Sequence, residues 1–320
     1  MTVAVSAVDL TRFGVAETPL VALDAVAPPG VHLFAKCEWQ LPTGSVKDRV
    51  AASMVALAQD EGRIADGTRL LESSSGNTGI ALARIAALTG TPLTVMVPDN
   101  VSRERIELLS AFGAHIEMTP GAEGSNGAVR RAEARAAQTG ELMLHQYENP
   151  ANPAAHEVTT GPEVIRQVAA AGHDRVDAFV ASLGTGGTVM GVGRALRRVW
   201  PDVTVVAAEP PAGESIAGLR TMADGYIPPV FDPSAIDRKL LVRSRDSIVM
   251  TRRLLAEQGL FVGPSSGAAV HAAVKVASRL SPGSVIVTVL PDAGWKYLST
   301  GIFGGSIDEA EARVIDATLW

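Results

Sequence analysis

The sequence predicts an α/β fold in which a parallel sheet is covered by helices on both faces. Segments with the patterns of strands and helices alternate at short spacing through both halves of the 320-residue chain. Hydrophobic residues make up 47% of the chain and charged residues 19%, which is enough apolar surface for an extensive core. Aromatic residues amount to only 4%, while glycine and alanine are abundant, which favours close packing of helices on sheets. The length allows one large unit or two lobes that share a core.

Strands and helices alternate from the beginning of the first half. A short extended piece is predicted at residues 18–21. Hydrophobic patterning predicts the strands that follow, over residues 31–36, 68–72, 93–97 and 114–118. The helices between and after them are predicted over residues 46–61, through 80–83, and over 102–112 and 127–139.

The second half repeats this alternation after a break. Prolines and asparagines at residues 146–153 interrupt the periodicity and predict a hinge between two lobes. Strands are then predicted over residues 178–182, 203–209 and 284–290. Helices are predicted after the turn at 183–188 as far as residue 200, and over 247–258 and 268–279.

Charge and composition exclude several classes of partner. The net charge of −6, with no cluster of lysine and arginine to offset it, argues against a nucleic-acid partner. Cys37 is the single cysteine, so we expect no intramolecular disulfide, no thiolate metal site and a reducing, cytoplasmic location. The six histidines show no ligand spacing, so no metal is predicted. No stretch approaches the roughly 20 apolar residues of a membrane span, so we expect no membrane partner.

A turn at residues 42–49 places Lys47 where a helix is about to begin. Ser45 can cap that helix, and Asp48 can reach back to complete a capping box. The positive partial charge of a helix N-terminus lowers the pKa of an amine in the first turn. A neutral amine at Lys47 suits a Schiff base with a carbonyl cofactor. The alternative, which this turn alone favours, is an exposed lysine paired with Asp48.

Four turns rich in glycine and hydroxyl residues fall at strand ends or helix starts, where ligands bind in open α/β sheets. These turns are residues 43–47, 73–78, 184–188 and 264–267. Together they indicate a shared anionic ligand. Turn 184–188 has the composition of a phosphate cradle but lacks both the Walker A pattern and G-x-G-x-x-G. The alternatives are a tight strand–helix junction at 184–188 and ordinary helix caps at 73–78 and 264–267.

The four turns together resemble those of one enzyme family. The segments at residues 45–49, 75–79, 184–188 and 265–268 occur in the order and spacing of the fold-type II pyridoxal-phosphate enzymes, and most closely of the cysteine synthases. The resemblance covers essentially the whole chain. It implies a homodimer with the fold of the tryptophan synthase β subunit, in which two α/β lobes each carry a mostly parallel sheet covered by helices.

The resemblance also implies which lobe does what. Residues 40–150 would form the smaller N-terminal lobe, which is mobile and binds the substrate. Residues 1–39 and 151–320 would form the larger lobe, which holds the phosphate and the pyridine ring of pyridoxal 5′-phosphate.

Individual roles follow from the same resemblance. Lys47 would form the Schiff base and shuttle the α-proton, Asn77 would contact the 3′-oxygen of the cofactor, and Ser265 would face its pyridine nitrogen. The phosphate would be bound by Gly184, Thr185, Gly186, Gly187 and Thr188. The substrate carboxylate would be surrounded by Ser74, Ser75, Asn77, Thr78 and Gln146.

The neutral hydroxyl of Ser265 bears on the type of reaction. It does not hold the ring nitrogen protonated, so the ring is a weaker electron sink than one paired with aspartate. A weak sink favours loss of a β-leaving group over transamination. The resemblance thus implies β-replacement on an activated L-serine through an aminoacrylate, with sulfur added to give L-cysteine. The alternatives are a serine or threonine dehydratase, which would release a keto acid, and a scaffold without catalysis.

The leaving group is indicated by a finer likeness. Residues 216–222 and 224–228 resemble the cysteine synthases that use O-phospho-L-serine, in which an arginine at the position of Arg220 binds the substrate phosphate. Residues 292–297 and the tail ending at Trp320 also resemble that branch, in which the tail covers the active site and a thiocarboxylated carrier protein supplies sulfur. For Arg220 the alternative is a surface ion pair, and for Trp320 it is ordinary packing.

Departures from the family pattern leave substrate preference open. Ser74 stands where the family usually has threonine, Pro264 replaces a common isoleucine, and Glu17 stands where asparagine is usual. The hydroxyl needed to bind a carboxylate is kept at Ser74. The likeness around Arg220 makes O-phosphoserine the preferred substrate prediction. The alternatives are O-acetylserine as substrate, or synthesis of another β-substituted alanine.

Overall fold

The computed structural model describes residues 10–74, 76–225 and 227–316. The strands are β1 (Leu20–Ala22), β2 (His32–Lys36), β3 (Leu70–Ser73), β4 (Leu93–Pro98), β5 (His115–Thr119), β6 (Leu142–Met143), β7 (Ala178–Ser182), β8 (Thr204–Glu209), β9 (Arg238–Leu241) and β10 (Val285–Val289). The α-helices are α1 (Lys47–Asp60), α2 (Asn77–Thr89), α3 (Arg103–Ala111), α4 (Gly124–Thr139), α5 (Ala151–Ala155), α6 (Gly161–Ala170), α7 (Gly187–Val199), α8 (Ser244–Gln258), α9 (Pro264–Ala277) and α10 (Ile307–Asp316).

The strands of the described residues form two sheets. The larger has six strands in the order β1-β2-β10-β7-β8-β9, and only its edge strand β1 runs antiparallel to its neighbour. The smaller has four parallel strands in the order β5-β4-β3-β6. The predicted parallel α/β architecture is confirmed, and the predicted strands lie where expected with ends that differ by a residue or two. The proposed division into lobes stays a prediction.

Alternate residues of the central strand β7 serve opposite faces of the larger sheet, as strand geometry requires. Val180 packs with Val270 of α9 in one buried cluster, whereas Phe179 packs with Val192 of α7 in another. The smaller sheet has its own cluster, in which Val95 of β4 packs with residues of α1 and α2. Helices therefore cover both faces of the larger sheet, which leaves the carboxyl ends of its strands available for a site.

The segment predicted as a hinge is partly helical. Helix α5 begins at Ala151, and a π-helical turn over His156–Thr160 connects it to α6. The side chain of Asn149 accepts a hydrogen bond from the backbone N–H of Ala151 at 3.0 Å. A proline in the first helical turn removes only an N–H that has no partner within the helix, so Pro153 does not break α5. Asparagine and proline mark a helix start here.

Sequence patterning also missed several other elements. They include the short strands β6 and β9, the 3-10 helix Gly294–Thr300, and the ten-residue helices α6 and α10. None of the helices in the described ranges combines the length and the apolar character needed to cross a membrane.

A buried cluster of four charges attaches α1 to the rest of the fold. The guanidinium of Arg49 contacts Glu38 through Nε at 2.7 Å and Glu163 of α6 through Nη1 at 2.6 Å. Lys36 of β2 contacts the other oxygen of Glu163 at 2.6 Å. The four side chains are buried, and their two positive and two negative charges balance. Arg49 lies two residues after Lys47, so this cluster fixes the beginning of the helix that carries the predicted lysine.

Replacement of Arg49 by methionine is expected to lower the free energy of unfolding by about 3–5 kcal/mol, because it leaves the buried carboxylate of Glu38 without its cation and that of Glu163 with Lys36 alone. Urea unfolding of the two proteins measures the loss. The matched control is Arg103→Met, which removes an ion pair with Glu107 whose side chains are 85% and 59% exposed. That control is expected to lose less than about 1 kcal/mol. Equal losses in the two variants would contradict a stabilising role for the buried cluster.

Candidate active site

A cleft with an empty volume of about 650 Å³ lies at the carboxyl ends of β3 and β7. It brings together most of the side chains proposed from the sequence, namely Lys47, Ser74, Asn77, Thr78, Gln146, Gly184, Thr185 and Arg220. Four predicted residues do not line it: Gly186, Gly187, Thr188 and Ser265. Ser75 and the tail residue Trp320 lie outside the described residues.

Lys47 is the first residue of α1 and is half-buried in the wall of the cleft. Burial lowers the pKa of its amine, and the nearby carboxylate of Asp292 opposes that shift. The predicted direction of the pKa shift is confirmed, although its main cause is burial rather than the helix N-terminus. The alternative of an exposed lysine paired with Asp48 is wrong, because Asp48 accepts hydrogen bonds from the backbone N–H and the hydroxyl of Thr43, both at 2.9 Å.

The predicted capping box between Ser45 and Asp48 is also wrong. Ser45 forms an isolated β-bridge with Asp292, and the N–H of Val46 donates to the carbonyl of Pro291 at 2.8 Å. Val46 therefore occupies the cap position of α1, and the buried hydroxyl of Ser45 has no hydrogen-bond partner among the described residues. Pairing with a segment distant in the sequence outweighs the local capping preference.

The loop after β3 meets a second loop across the cleft. The hydroxyl of Ser74 accepts from the N–H of Gly79 at 3.0 Å, so it caps the beginning of α2, as the alternative for this turn predicted. Thr78 donates from its hydroxyl to the amide oxygen of Gln146 at 2.6 Å, although the two residues are 68 positions apart. Hydroxyl and amide groups suited to a carboxylate thus lie together at a helix N-terminus.

Glu72, at the end of β3, holds these two loops in place and was missed by sequence reasoning. Its buried carboxylate accepts from the backbone N–H groups of His145 at 3.0 Å and Ser73 at 3.2 Å, and from that of Gln146. His145 has a φ of 61°, which is an uncommon conformation for a residue other than glycine. In this conformation its backbone N–H donates to Glu72. Burial raises the pKa of Glu72 to about 8, and the three N–H donors oppose this. The sequence offered one signal for this role, a single glutamate within an otherwise apolar predicted strand.

The glycines of turn 184–188 are required by the packing. Gly186 has a φ of 89°, and a Cβ there would collide with the ring of Phe231. A Cβ on Gly187 would collide with the amide of Asn152. The alternative of a tight strand–helix junction therefore applies, and it does not exclude a phosphate site. Thr185 still lines the cleft beside the N-terminus of α7.

Two other predicted cofactor contacts, Thr188 and Ser265, do not line the cleft. Thr188 places its hydroxyl 3.3 Å from Nε2 of the buried His156. Ser265 is buried in the first turn of α9. It lies next to Gly218, because a Cβ added to Gly218 would be 3.7 Å from the Cβ of Ser265. Gly218 itself lines the cleft.

Two glycines, Gly184 and Gly218, allow two backbone segments to come close together at the wall of the cleft. A Cβ on Gly184 would lie 2.8 Å from the carbonyl oxygen of Gly218, and both glycines line the cleft. Backbone exposed next to a helix N-terminus suits a phosphate group. Together with the amine of Lys47, whose pKa is lowered, these residues fit a carbonyl cofactor that carries a phosphate.

Residues 292–297, which sequence reasoning noted only as a likeness, contact residues that line the cleft. Asp292 accepts from Nδ2 of Asn77 at 2.8 Å and from the hydroxyl of Tyr297 at 2.6 Å. Lys296 donates to Oδ1 of Asn77 at 2.7 Å. The sequence signal for this part of the site was the presence of charged residues shortly after the apolar strand β10. Strand β10 is parallel to β7, so the two strands end at the same edge of the larger sheet.

Arg220 also lines the cleft, beside the loop that carries Gln146. Its guanidinium donates to Oδ1 of Asn126 at 3.1 Å and to the hydroxyl of Tyr147 at 3.2 Å. The guanidinium carbon also lies 4.7 Å from the centre of the Tyr147 ring. These contacts hold a cation at the wall of the cleft.

Among the described residues, the ligand atoms of Glu133, His145 and Glu148 lie within 4.8 Å of one another. The two carboxylates are exposed, and a 3.0 Å contact between His145 and Glu133 accounts for much of the approach. We assign no metal to this group.

Comparisons with known proteins agree with the geometry of the cleft. The family described as pyridoxal-phosphate dependent enzyme matches residues 11–292. Cysteine synthase of Staphylococcus aureus (strain Mu50 / ATCC 700699) is 40% identical over 294 residues, which are 89% of this chain and 94% of that protein. Cysteine synthase B of Salmonella typhimurium is 42% identical over 291 residues, 91% of this chain and 94% of that protein.

Solved structures give the same result for the fold. O-ureido-L-serine synthase superposes with a TM-score of 0.86 at 37% identity, over 95% of this chain and 98% of that one. Cysteine synthase from Entamoeba histolytica superposes with a TM-score of 0.84 at 30% identity, over 96% of this chain and 95% of that one.

The chain belongs to the family of pyridoxal-phosphate-dependent enzymes. The predicted fold-type II architecture and the predicted cofactor, pyridoxal phosphate, are thereby confirmed. The predicted resemblance to the cysteine synthases is confirmed as well.

Glu72→Gln is expected to change how stability depends on pH. The pKa of Glu72 is raised to about 8 in the fold, from an ordinary value of 4.5. Its stabilising contribution is therefore fully present below about pH 4.5 and is lost as pH rises through about 8. Relative to Glu72→Gln, the wild type should lose several degrees of Tm between about pH 5 and 9. Thermal unfolding over this range measures the difference.

The control for this experiment is Glu107→Gln, which changes a glutamate whose side chain is 59% exposed. We expect its Tm to follow that of the wild type at each pH. A difference between wild type and Glu72→Gln that stays constant with pH would contradict a raised pKa at Glu72.

Proposed function

We propose that the protein is a cysteine synthase, which replaces the β-substituent of an activated L-serine with sulfur to give L-cysteine. The observation that carries this proposal is the position of the Lys47 amine, in one cleft with the Thr78–Gln146 pair and the turn at residues 184–185. Similarity to proteins named as cysteine synthases supports the proposal. When bound, pyridoxal phosphate supplies electron withdrawal from the substrate Cα, which makes the α-proton acidic.

Lys47 would hold the cofactor and then move the α-proton at its Nζ. Burial lowers the pKa of this amine, so a larger fraction is neutral and able to accept a proton near neutral pH. The carboxylate of Asp292 opposes the shift and favours the charged form once the proton has been accepted. Both effects suit an amine that takes up a proton and releases it again.

The substrate carboxylate would bind where α2 begins. Thr78 and Gln146 are joined there by a hydrogen bond, and the N-terminus of a 13-residue helix favours negative charge. Ser74, Ser75 and Asn77, which directly precede Thr78 in this part of the sequence, complete the proposed set. This position would orient the substrate so that its α-carbon faces Lys47.

The cofactor would be held at its two other ends by the larger sheet. Its phosphate would bind at the N-terminus of α7, with Gly184 and Thr185 in the cleft wall and the rest of the turn, Gly186, Gly187 and Thr188, behind it. Ser265 would face the pyridine nitrogen with a neutral hydroxyl, and Asn77 would contact the 3′-oxygen. A neutral partner favours elimination of a β-substituent.

O-phospho-L-serine is the proposed substrate, because Arg220 places a guanidinium on the wall of the cleft. A guanidinium matches phosphate by paired hydrogen bonds. O-acetyl-L-serine is the alternative activated substrate. The proposed partners are a thiocarboxylated sulfur-carrier protein and a second copy of the chain, and the proposed location is the cytoplasm.

A second candidate function is synthesis of another β-substituted alanine. One of the similar solved structures is O-ureido-L-serine synthase, and Ser74 stands where the cysteine synthases usually have threonine. The chemistry at Lys47 would be unchanged, and only the incoming nucleophile would differ.

The test is product analysis with each serine ester in the presence and absence of sulfide. Formation of L-cysteine that depends on both substrates supports the proposal. Release of pyruvate at the same rate without sulfide would indicate a dehydratase instead. A higher rate with a nucleophile that contains no sulfur would favour the second candidate.

Lys47→Ala is expected to abolish covalent attachment of the cofactor and to lower kcat by at least about 10³-fold, because one amine is proposed both to attach the cofactor and to move the proton. Borohydride reduction followed by peptide mass analysis should label residue 47 of the wild type. The control is Lys275→Ala, an exposed lysine on α9, which should retain label and activity. Label on a lysine other than Lys47 would refute the assignment.

Arg220→Ala is expected to lower kcat/KM for O-phosphoserine by about 10–100-fold, since it removes a charge-assisted contact to phosphate. The value for O-acetylserine should change less than about 3-fold, because its acetyl group carries no charge for the arginine to bind. Arg220→Lys keeps the charge without the paired donors and should fall between wild type and alanine. An equal loss for the two esters would exclude a role in phosphate binding.

A further inference from the structure

Lys296 is a buried amine for which the proposed reaction has no use. It lies in the 3-10 helix Gly294–Thr300, fully enclosed, and burial lowers its pKa to about 8 although the carboxylates of Asp292 and Asp48 oppose this shift. A lysine that only stabilised the fold would be expected at the surface, where its charge is solvated. Its ammonium donates a hydrogen bond to Oδ1 of Asn77 at 2.7 Å.

The amide of Asn77 is held between two groups of opposite charge. An ammonium can only donate hydrogen bonds, so Lys296 has to meet the amide oxygen. A carboxylate can only accept, so Asp292 has to meet the amide nitrogen, which lies 2.8 Å from its Oδ2. Rotation of the amide by 180° would bring two donors together on one side and two acceptors together on the other. Both contacts would then be repulsive.

The carboxylate in this arrangement is itself fixed. The hydroxyl of Tyr297 donates to the same Oδ2 of Asp292 at 2.6 Å, and the two side chains are buried. Asp292 follows β10 and Lys296 follows it by four residues, so one short segment supplies both partners of an amide more than 200 positions away. Asn77 is the first residue of α2 and lines the cleft.

We infer that Lys296 is a positioning residue, which locks the amide of Asn77 so that its nitrogen is the atom offered to an acceptor in the cleft. A primary amide carries two N–H donors, and Asp292 takes one of them. The other can donate to an anionic oxygen of the ligand. The inference rests on the proposed function, in which that acceptor is the 3′-oxygen of pyridoxal phosphate.

The test compares Lys296→Met with Lys296→Arg in the full-length protein. Methionine removes the donor, so the amide can rotate, and the Kd for pyridoxal phosphate in a fluorescence titration should rise about 10-fold. The visible absorption band of the bound cofactor should also shift, because its 3′-oxygen loses a donor. Arginine keeps a donor-only cation and should stay within about 3-fold of the wild-type Kd. Lys275→Met is the surface control and should change neither quantity.

A double-mutant cycle separates positioning from general packing. If Lys296 acts through Asn77, then Lys296→Met should change the Kd less than about 2-fold in an Asn77→Ala background. An equal effect in both backgrounds would overturn the inference, and so would a wild-type Kd and spectrum in Lys296→Met. If Lys296→Met does not fold by circular dichroism, Lys296→Leu, which also lacks a hydrogen-bond donor, takes its place in the same cycle.

Failure of the inference and failure of the proposed function give different results. Wild-type protein that does not bind pyridoxal phosphate, or that makes no L-cysteine from either ester, would refute the proposed function. Wild-type protein that does both, while the Lys296 variants match it in Kd and in spectrum, would refute the inference alone.

Discussion

The burial of one amine is the constraint on which this structure depends. Lysine keeps a high pKa in water, and the fold lowers that of Lys47 by removing solvent from it. Burial is unfavourable for a charged amine, so the surrounding structure has to hold the lysine in place. The charge cluster of Arg49 anchors α1 on one side, and the backbone bond from Val46 to Pro291 anchors the preceding turn on the other.

The two sheets contribute different loops to the cleft around the Lys47 amine. The smaller sheet supplies the loop after β3 and, through Glu72, fixes the neighbouring loop that carries Gln146. The larger sheet supplies glycine turns whose backbone comes close to the cleft, as Gly184 and Gly218 show. Parallel strands end at the same edge of a sheet, so loops that are distant in the sequence meet there. A ligand bound in the cleft would contact both sheets.

Polar groups around the cleft are arranged in opposed pairs. Asn77 lies between Lys296 and Asp292, and Thr78 meets Gln146. The amide of Asn77, which can both donate and accept, is thereby fixed in one orientation, because Lys296 can only donate and Asp292 can only accept. Such fixed orientation is useful when a ligand requires donors at defined positions.

The sequence by itself determined the alternation of strands and helices, the position of Lys47 at a helix start and the four turns of the site, because these depend on local periodicity and on residues such as glycine. Only the tertiary structure decided how the ends of those elements are satisfied. Ser45 pairs with Asp292 in a distant segment instead of capping α1, and Asp48 binds Thr43. Glu72, Asp292 and Lys296 gained their roles in the same way. Their partners lie 73 to 219 positions away, and no local pattern can indicate a contact whose energy arises only when the chain has folded.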